Sequence, residues 1–184
     1  MFKIKQTMNE KELLEAIELD KENFPYPLVC NFDECIKWIQ KNDNIHTLII
    51  KDEKLVGYIN FMPIKTEFYD MYRAGKMQED EITADHIEVY EDGKSYDILL
   101  MAIAIKKKYR SGWAILTLMK GLRQKLEILE ERGIIIKRIL SDCVTEDGVK
   151  SALRMGFKYI GKSKYGKLYE GGIENLSHPA EKRV

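Results

Sequence analysis

Between residues 103 and 122 the chain reads IAIKKKYRSGWAILTLMKGL. An apolar run meets Lys106, Lys107 and Lys108, and Tyr109-Arg110-Ser111-Gly112-Trp113-Ala114 then leads into an amphipathic stretch. This order puts cations and small residues where a strand passes into a helix. The first turn of a helix has backbone N–H groups with no internal partner. The macrodipole adds the equivalent of about half a positive charge there. Together they suit a phosphate or diphosphate. Gly112 lets the backbone approach an oxygen that a Cβ would hold off, and Ala114 is small for the same reason. Ser111, Arg110 and the lysines add hydroxyl, guanidinium and ammonium groups. Taken alone, the same residues also describe a solvated loop before an ordinary helix. The elements on either side favour the anion site.

Those elements follow from hydrophobic spacing. Ile98 to Ile105 are eight consecutive apolar residues, as expected of a strand buried on both faces. Ile115, Leu118, Met119, Leu122, Leu126 and Leu129 recur at helical spacing over 113–132, and Gly133 stands where a helix cap is needed. IIIKRIL, 134–140, reads as a second buried strand. A strand-helix-strand unit of this length joins a parallel pair. Ligands of such sheets lie beyond the carboxyl ends of the strands, which is where 106–114 falls.

The rest of the chain builds one domain, 1–184, without repeats or linkers. FKIKQT alternates as a strand does, and Asn9 is placed to cap a helix carrying Leu13, Leu14, Ile17 and Phe24, which Pro25 and Pro27 end. A second helix holds Ile36, Trp38 and Ile39. Residues 46–50 and 55–62 form a hairpin, 66–79 a helix interrupted at Gly75, and 86–105 a second hairpin on Asp92-Gly93. Thr145 caps a short helix that Gly156 stops. One or two strands around Tyr165-Gly166 follow, and 173–184 reads as a loosely held tail.

Composition excludes several classes. The 184 residues carry 30 basic and 30 acidic side chains, which argues against a nucleic-acid binder. Cys30, Cys35 and Cys143 make an odd number, and CNFDEC is not a zinc pattern, so reduced thiols are expected. His46, His86 and His178 are scattered, so no metal site is expected. No apolar run approaches the roughly 20 residues that span a bilayer. These features predict a soluble, cytoplasmic protein without a membrane partner. The chain contains no G-x-x-x-x-G-K-[ST], so it is not a P-loop NTPase.

The loop resembles the acyl-CoA signature Q/R-x-x-G-x-G/A of the GNAT superfamily of N-acyltransferases, with the glycine at Gly112 and the last small residue at Ala114. The first position is Tyr109, beside Arg110; the family's Y-R-G is echoed by Tyr109-Arg110-Ser111, and Trp113 fills the variable position. The order of elements over most of 1–172 and the ending Met155-Gly156-Phe157 are also similar to that family. The resemblance implies an α/β fold with a mixed sheet of six or seven strands flanked by helices. It implies acetyl-CoA or CoA as co-substrate, its diphosphate resting on backbone N–H groups of 110–115. It implies a pantetheine arm beside Ile103, Ala104 and Ile105, a backbone N–H polarising the thioester, and direct attack by a small-molecule or peptide amine. An oligomer, such as a homodimer, is left open.

Two family positions differ. The tyrosine four residues before the "GF" glycine is Ala152, and the fourth-strand glutamate has only Asp97 beside it. Asp97 and Asp142 are therefore the candidate bases, against solvated strand-end and helix-capping roles. Cys143 is a candidate nucleophile or a small core filler. Tyr165 and Tyr169 are candidate acids or packed rings, and water can replace both. The acids of 63–95 (Glu67, Asp70, Glu79, Asp80, Glu81, Asp85 and Glu88) suit either a cationic acceptor or a solvated surface. Two other readings stay open beside the transferase: a silent CoA-binding sensor, and a scaffold that lost the ligand.

Overall fold

The structure, a computed structural model, describes residues 1–25, 28–110 and 112–177. Seven strands form one sheet in the order β1-β2-β3-β4-β5-β7-β6. They are β1 (Lys3–Lys5), β2 (His46–Lys51), β3 (Lys54–Ile64), β4 (Ser95–Ile105), β5 (Ile135–Cys143), β6 (Lys158–Lys162) and β7 (Lys167–Gly171). Among the described residues only β4 and β5 pair in parallel. The helices are α1 (Glu10–Asn23), α2 (Phe32–Lys41), α3 (Thr66–Arg73), α4 (Gly112–Glu131), α5 (Glu146–Arg154) and the single turn α6 (Glu174–Ser177).

One core lies between the sheet and α1, α2 and α3, with Leu13, Trp38 and Tyr69 against Leu48, Tyr58 and Ala104. The other lies under α4 and α5, with Leu118, Leu122, Leu126 and Leu129 against Ile59, Ile98 and Ile139. Burying each such leucine contributes roughly 1.5–3 kcal/mol, so the α4 stripe anchors that layer. Gly121 sets how closely α4 seats: a Cβ there would meet Thr47 Cγ2 at 2.8 Å and Ile4 Cγ2 at 2.9 Å. Asn9 closes a capping box with Glu12 at the start of α1, and Thr145 caps α5 through the Gly148 N–H.

Three expectations change. The second hairpin does not form. Tyr96 hydroxyl donates to Val89 O at 2.9 Å and accepts from Glu91 N–H at 2.7 Å, while Gly93 N–H bonds Arg132 O at 3.1 Å. The Asp92-Gly93 turn thus docks on the end of α4 instead of pairing a strand. Leu14 is exposed, and Ala16 and Leu19 carry the buried face of α1. Residues 174–177, expected in the tail, form α6, whose Leu176 is buried in the α4-side core. Residues 178–184, including His178, lie outside the described residues, as does Pro27.

Candidate functional site

The parallel pairing of β4 and β5 runs from Ser95↔Ile135 to Leu99↔Leu140 and stops. On its other edge β4 pairs with β3, where Phe61 faces Leu100 and Asn60 faces Ala102. Met101 has no partner, so β4 carries a bulge at the point of divergence. An extra residue of this kind bends the strand and strengthens its twist. Beyond it β4 and β5 run apart, and a cleft of about 630 Å³ opens between them. Leu100, Ile103 and Ile105 line one wall and Ser141, Asp142 and Cys143 the other; Gly112 and Ile115 of α4 and Thr145, Gly148 and Ser151 of α5 close the end.

Lys107, Arg110, Lys150 and Arg154 line the cleft and outnumber its acids, Glu22, Asp142 and Asp147. Arg110 spans its mouth, donating to Ile105 O at 3.3 Å and to the Asn23 carboxamide oxygen, with Asp147 at 3.9 Å. The first amides of α4 have no intrahelical acceptor, and a Cβ on Gly112 would meet nothing within 4 Å. Space, cations and free N–H groups therefore converge at the start of α4.

Of the residues expected to hold the cofactor, Ile103, Ile105, Arg110, Gly112 and Ile115 line this cleft. Ala104 and Ala114 are 1% and 0% exposed and belong to the two cores. Tyr109 turns away, its ring against Phe2 with Lys51 and Lys108 over it. Trp113 is 78% exposed and outside the cleft, and Ser111 lies outside the described residues. Of the three lysines expected to add charge there, Lys107 lines the cleft, while Lys150 and Arg154 were not anticipated. The i, i+4 spacing of Lys150 and Arg154 on α5 is the signal that points to them.

A second cavity, about 190 Å³, lies between α1, α2 and the sheet. Both cavities are bounded by Phe24, Met101, Ala102 and Val144, so they meet at the bulge. Small Ala102 leaves room there. Asp20, Glu79 and Asp80 line this chamber, as does the Cys30–Cys35 disulfide. The disulfide corrects the expectation of reduced thiols: the C-x₄-C segment runs into the first turn of α2, which brings the two Cα atoms to 6.4 Å.

Two chamber carboxyls hold protons near neutrality. Burial pushes Asp20 up to about 7 against the hydrogen bond from Tyr58 hydroxyl, 2.5 Å from Oδ1. Burial, then the charges of Asp142, Asp20 and Asp80, push Glu79 up to about 8. Glu79 makes no side-chain hydrogen bond among the described residues, so its carboxyl is free to act.

The earlier candidates sit elsewhere or are spoken for. Asp97 is fully buried and lines neither cavity. Arg138 donates to both its oxygens at 2.9 Å, Thr66 hydroxyl at 2.7 Å, and Lys137 lies at 3.3 Å. Burial opposes its charge, but these partners outweigh burial and hold Asp97 below the usual carboxylate range. It clamps the closed end of the β4–β5 pair. Asp142 does line the cleft; burial raises it against hydrogen bonds from Ser163 and Tyr72. Cys143 also lines the cleft, but burial pushes its thiol up to about 11, so it is a thiol at neutral pH. Tyr165 donates to Asp80 at 2.8 Å, Tyr169 packs on Tyr159, and Ala152 is a core residue. Of the acids in 63–95, only Glu79 and Asp80 reach the chamber.

Asp20 also carries a stability signature. Its folded pKa of about 7 exceeds the ordinary aspartate value of 3.8, so between these values the folded state holds a proton that the unfolded chain has released. Stability is therefore full below the unfolded pKa and falls as pH rises from about 4 to about 7. Asp20→Asn keeps an acceptor for Tyr58 and removes this loss. It should raise Tm by roughly 8–16 °C at pH 8 and change it little near pH 3.5, read by thermal unfolding at both pH values.

No family model and no curated protein matches the chain by sequence. Solved structures do match by shape. The loading GNATL domain of CurA from Lyngbya majuscula superposes with a TM-score of 0.61 at 13% identity, covering 95% of this chain and 98% of that one. The PaiA N-acetyltransferase from Thermoplasma acidophilum, in complex with coenzyme A, gives 0.57 at 12%, covering 94% and 99%. Arabidopsis thaliana Naa50, with the bisubstrate analogue CoA-Ac-MVNAL, gives 0.55 at 14%, covering 92% and 95%. The fold of this chain is thus shared, over more than nine-tenths of its length, with these solved structures.

Proposed function

We propose that the chain transfers an acetyl group from acetyl-CoA to a primary amine by direct attack. One observation carries this reading. The bulge at Met101 opens a cleft with more cations than acids on one side and meets an acid-lined chamber on the other. A diphosphate fits the start of α4, where free N–H groups, Arg110 and Lys107 converge. The thioester arm would follow the unpaired edge of β4 to the bulge. An amine in the chamber would reach the thioester at Met101 and Ala102. Two of the structures with this fold hold CoA or a CoA-derived analogue.

Each group then has a step. The ammonium gives a proton to a chamber carboxylate, for which Glu79 is the residue we assign. The freed nitrogen attacks the carbonyl carbon, and a backbone N–H of the split strand takes the developing oxyanion. A preorganised donor of this kind contributes roughly 3 kcal/mol to the transition state. The carbon–sulfur bond breaks, the nitrogen releases its remaining extra proton to solvent to leave the amide, and CoA leaves as thiolate, which solvent protonates, since Ala152 offers no acid.

The test is CoA thiol release from acetyl-CoA with a panel of amines, alongside thermal unfolding with CoA. Amine-dependent thiol release supports the transferase. A CoA-induced rise in Tm with no release on any amine supports a CoA sensor instead. No rise in Tm with either CoA or acetyl-CoA sinks both.

A further inference from the structure

One wall of the chamber is a short connecting segment. Leu28, Val29, Cys30 and Asn31, between α1 and α2, line it, as do Glu34 and Cys35 at the start of α2. Among the described residues, the hydrogen bonds of 28–31 stay inside 25–35. Leu28 N–H reaches Pro25 O at 2.9 Å, and Asn31 accepts from Glu34 N–H at 2.9 Å and from Cys35 N–H at 3.1 Å. None of these ties the segment to the sheet.

Helix α2 is anchored where the segment is not. Cys35, Trp38 and Ile39 are buried in the core on that side of the sheet. The Cys30–Cys35 bridge is the covalent link from the segment to this anchored helix. A disulfide stabilises a fold more when it closes a longer loop. With a sequence separation of 5, this one closes a very short loop, so its effect is concentrated on the wall it fixes. Cys30 is half-buried and Cys35 is 8% exposed, so a thiol from solvent meets Cys30 first. Cys143, the remaining cysteine, is a free thiol that does not line the chamber, so exchange has no third partner there.

We propose that Cys30–Cys35 is a redox switch on the acceptor side of the molecule. Closed, it holds 28–31 as a formed wall; opened by a dithiol, it releases that wall and weakens amine binding. The chemistry balances. A reductant thiolate attacks Cys30 Sγ, the S–S bond breaks, and Cys35 leaves as a thiolate that solvent protonates. The second thiolate of the reductant then attacks its own sulfur in the mixed disulfide, and Cys30 leaves in the same way. Two electrons pass from the dithiol, which ends as its own disulfide. The proposal rests on the transferase reading for what the chamber binds, but not for the switch itself.

The experiment compares the full chain in dithiothreitol and in oxidised dithiothreitol. Alkylation with mass spectrometry reads the bridge, and hydrogen exchange reads the wall. Acetyl transfer to butylamine, spermidine and a tetrapeptide is followed by product mass, because dithiothreitol masks thiol release. The bridge should open and reclose without denaturant. Amides of 28–35 should then exchange at least about tenfold faster in the open form, with β4 and β5 unchanged. KM for the accepted amine should rise at least about fivefold at little-changed kcat, the sign of lost binding rather than lost chemistry. CoA affinity should not change. Cys30→Ser should match the reduced protein in both buffers, which separates the bridge from any other action of the reductant. A bridge that opens only in denaturant, or that opens with no change in exchange over 28–35, overturns the switch. Faster exchange with an unchanged KM overturns its bearing on the amine. Faster exchange with no acetyl transfer to any amine keeps the switch and counts against the transferase reading.

Discussion

Gly112→Glu should lose at least about a hundredfold in CoA affinity while folding as well as the parent chain. Stability is spared for two reasons. A Cβ at 112 meets nothing within 4 Å, so no neighbour has to move. A carboxylate in the first turn also favours the α4 macrodipole, by roughly 0.3–1 kcal/mol. Binding suffers because the same carboxylate occupies the space and the N–H groups that a diphosphate needs. The readout is thermal. Ligand at about a hundred times Kd adds about 2.7 kcal/mol of stability, worth roughly 5–10 °C in a chain of this size. In Gly112→Glu that rise should vanish. Trp113→Glu adds the same charge one residue on, at an exposed position outside the cleft, and should change affinity only a few-fold. A folded Gly112→Glu protein that keeps its affinity, or equal losses in the two variants, would remove the diphosphate from the start of α4.

The pair of variants turns on one helix turn, which was also the most legible part of the sequence. The β4–α4–β5 unit shows itself because eight apolar residues, a 3.6-residue stripe and a second apolar run leave little else for the chain to do. The Gly112 end of the cleft follows from that unit. What failed to show was register. Within LLMAIAI every residue is apolar, so nothing marks Met101 as the one without a partner, yet that bulge opens the cleft. It also decides which of Ile103, Ala104 and Ile105 faces the cleft, and Ala104 falls on the other side.

Buried polar groups were the other blind spot. Asp20, His46, Asn60 and Lys125 look like surface residues in the sequence and are 9%, 5%, 5% and 3% exposed. Long-range pairing buries them: Tyr58 reaches Asp20 across 38 residues, and Lys125 donates to Asn44 O at 2.6 Å. Asp97 misled in the opposite direction. It neighbours the family's glutamate position, but its strand partner is Arg138, and a carboxylate held by a guanidinium on both oxygens is an ion pair rather than a base. The disulfide escaped because an odd cysteine count and an assumed reducing compartment outweighed the C-x₄-C spacing.

Replacing Glu79 by Gln should lower kcat by about a hundredfold to ten-thousandfold, the range that general bases contribute, and leave CoA affinity unchanged. The argument is one of place and proton. Glu79 lines the chamber, its carboxyl interacts with Asp142 on the cleft side and Asp20 on the chamber side, and it makes no side-chain hydrogen bond to a described residue. Burial and those charges keep it protonated up to about pH 8 when the chamber is empty. Only the deprotonated form can accept a proton from the ammonium, so kcat/KM should rise with pH and level off above about 8. An amine with a higher pKa adds its own limb further up, which Glu79→Gln leaves in place. The limb near 8 should disappear in Glu79→Gln. Asp97→Asn supplies the contrast. It removes the charge that Arg138 and Lys137 face, so its cost falls on stability, and the folded fraction should keep both the rate and the limb. If the limb near pH 8 survives in Glu79→Gln and is lost in Asp20→Asn, the base is Asp20. If it survives in both, solvent takes the proton, and the raised carboxyls serve only to hold the cation.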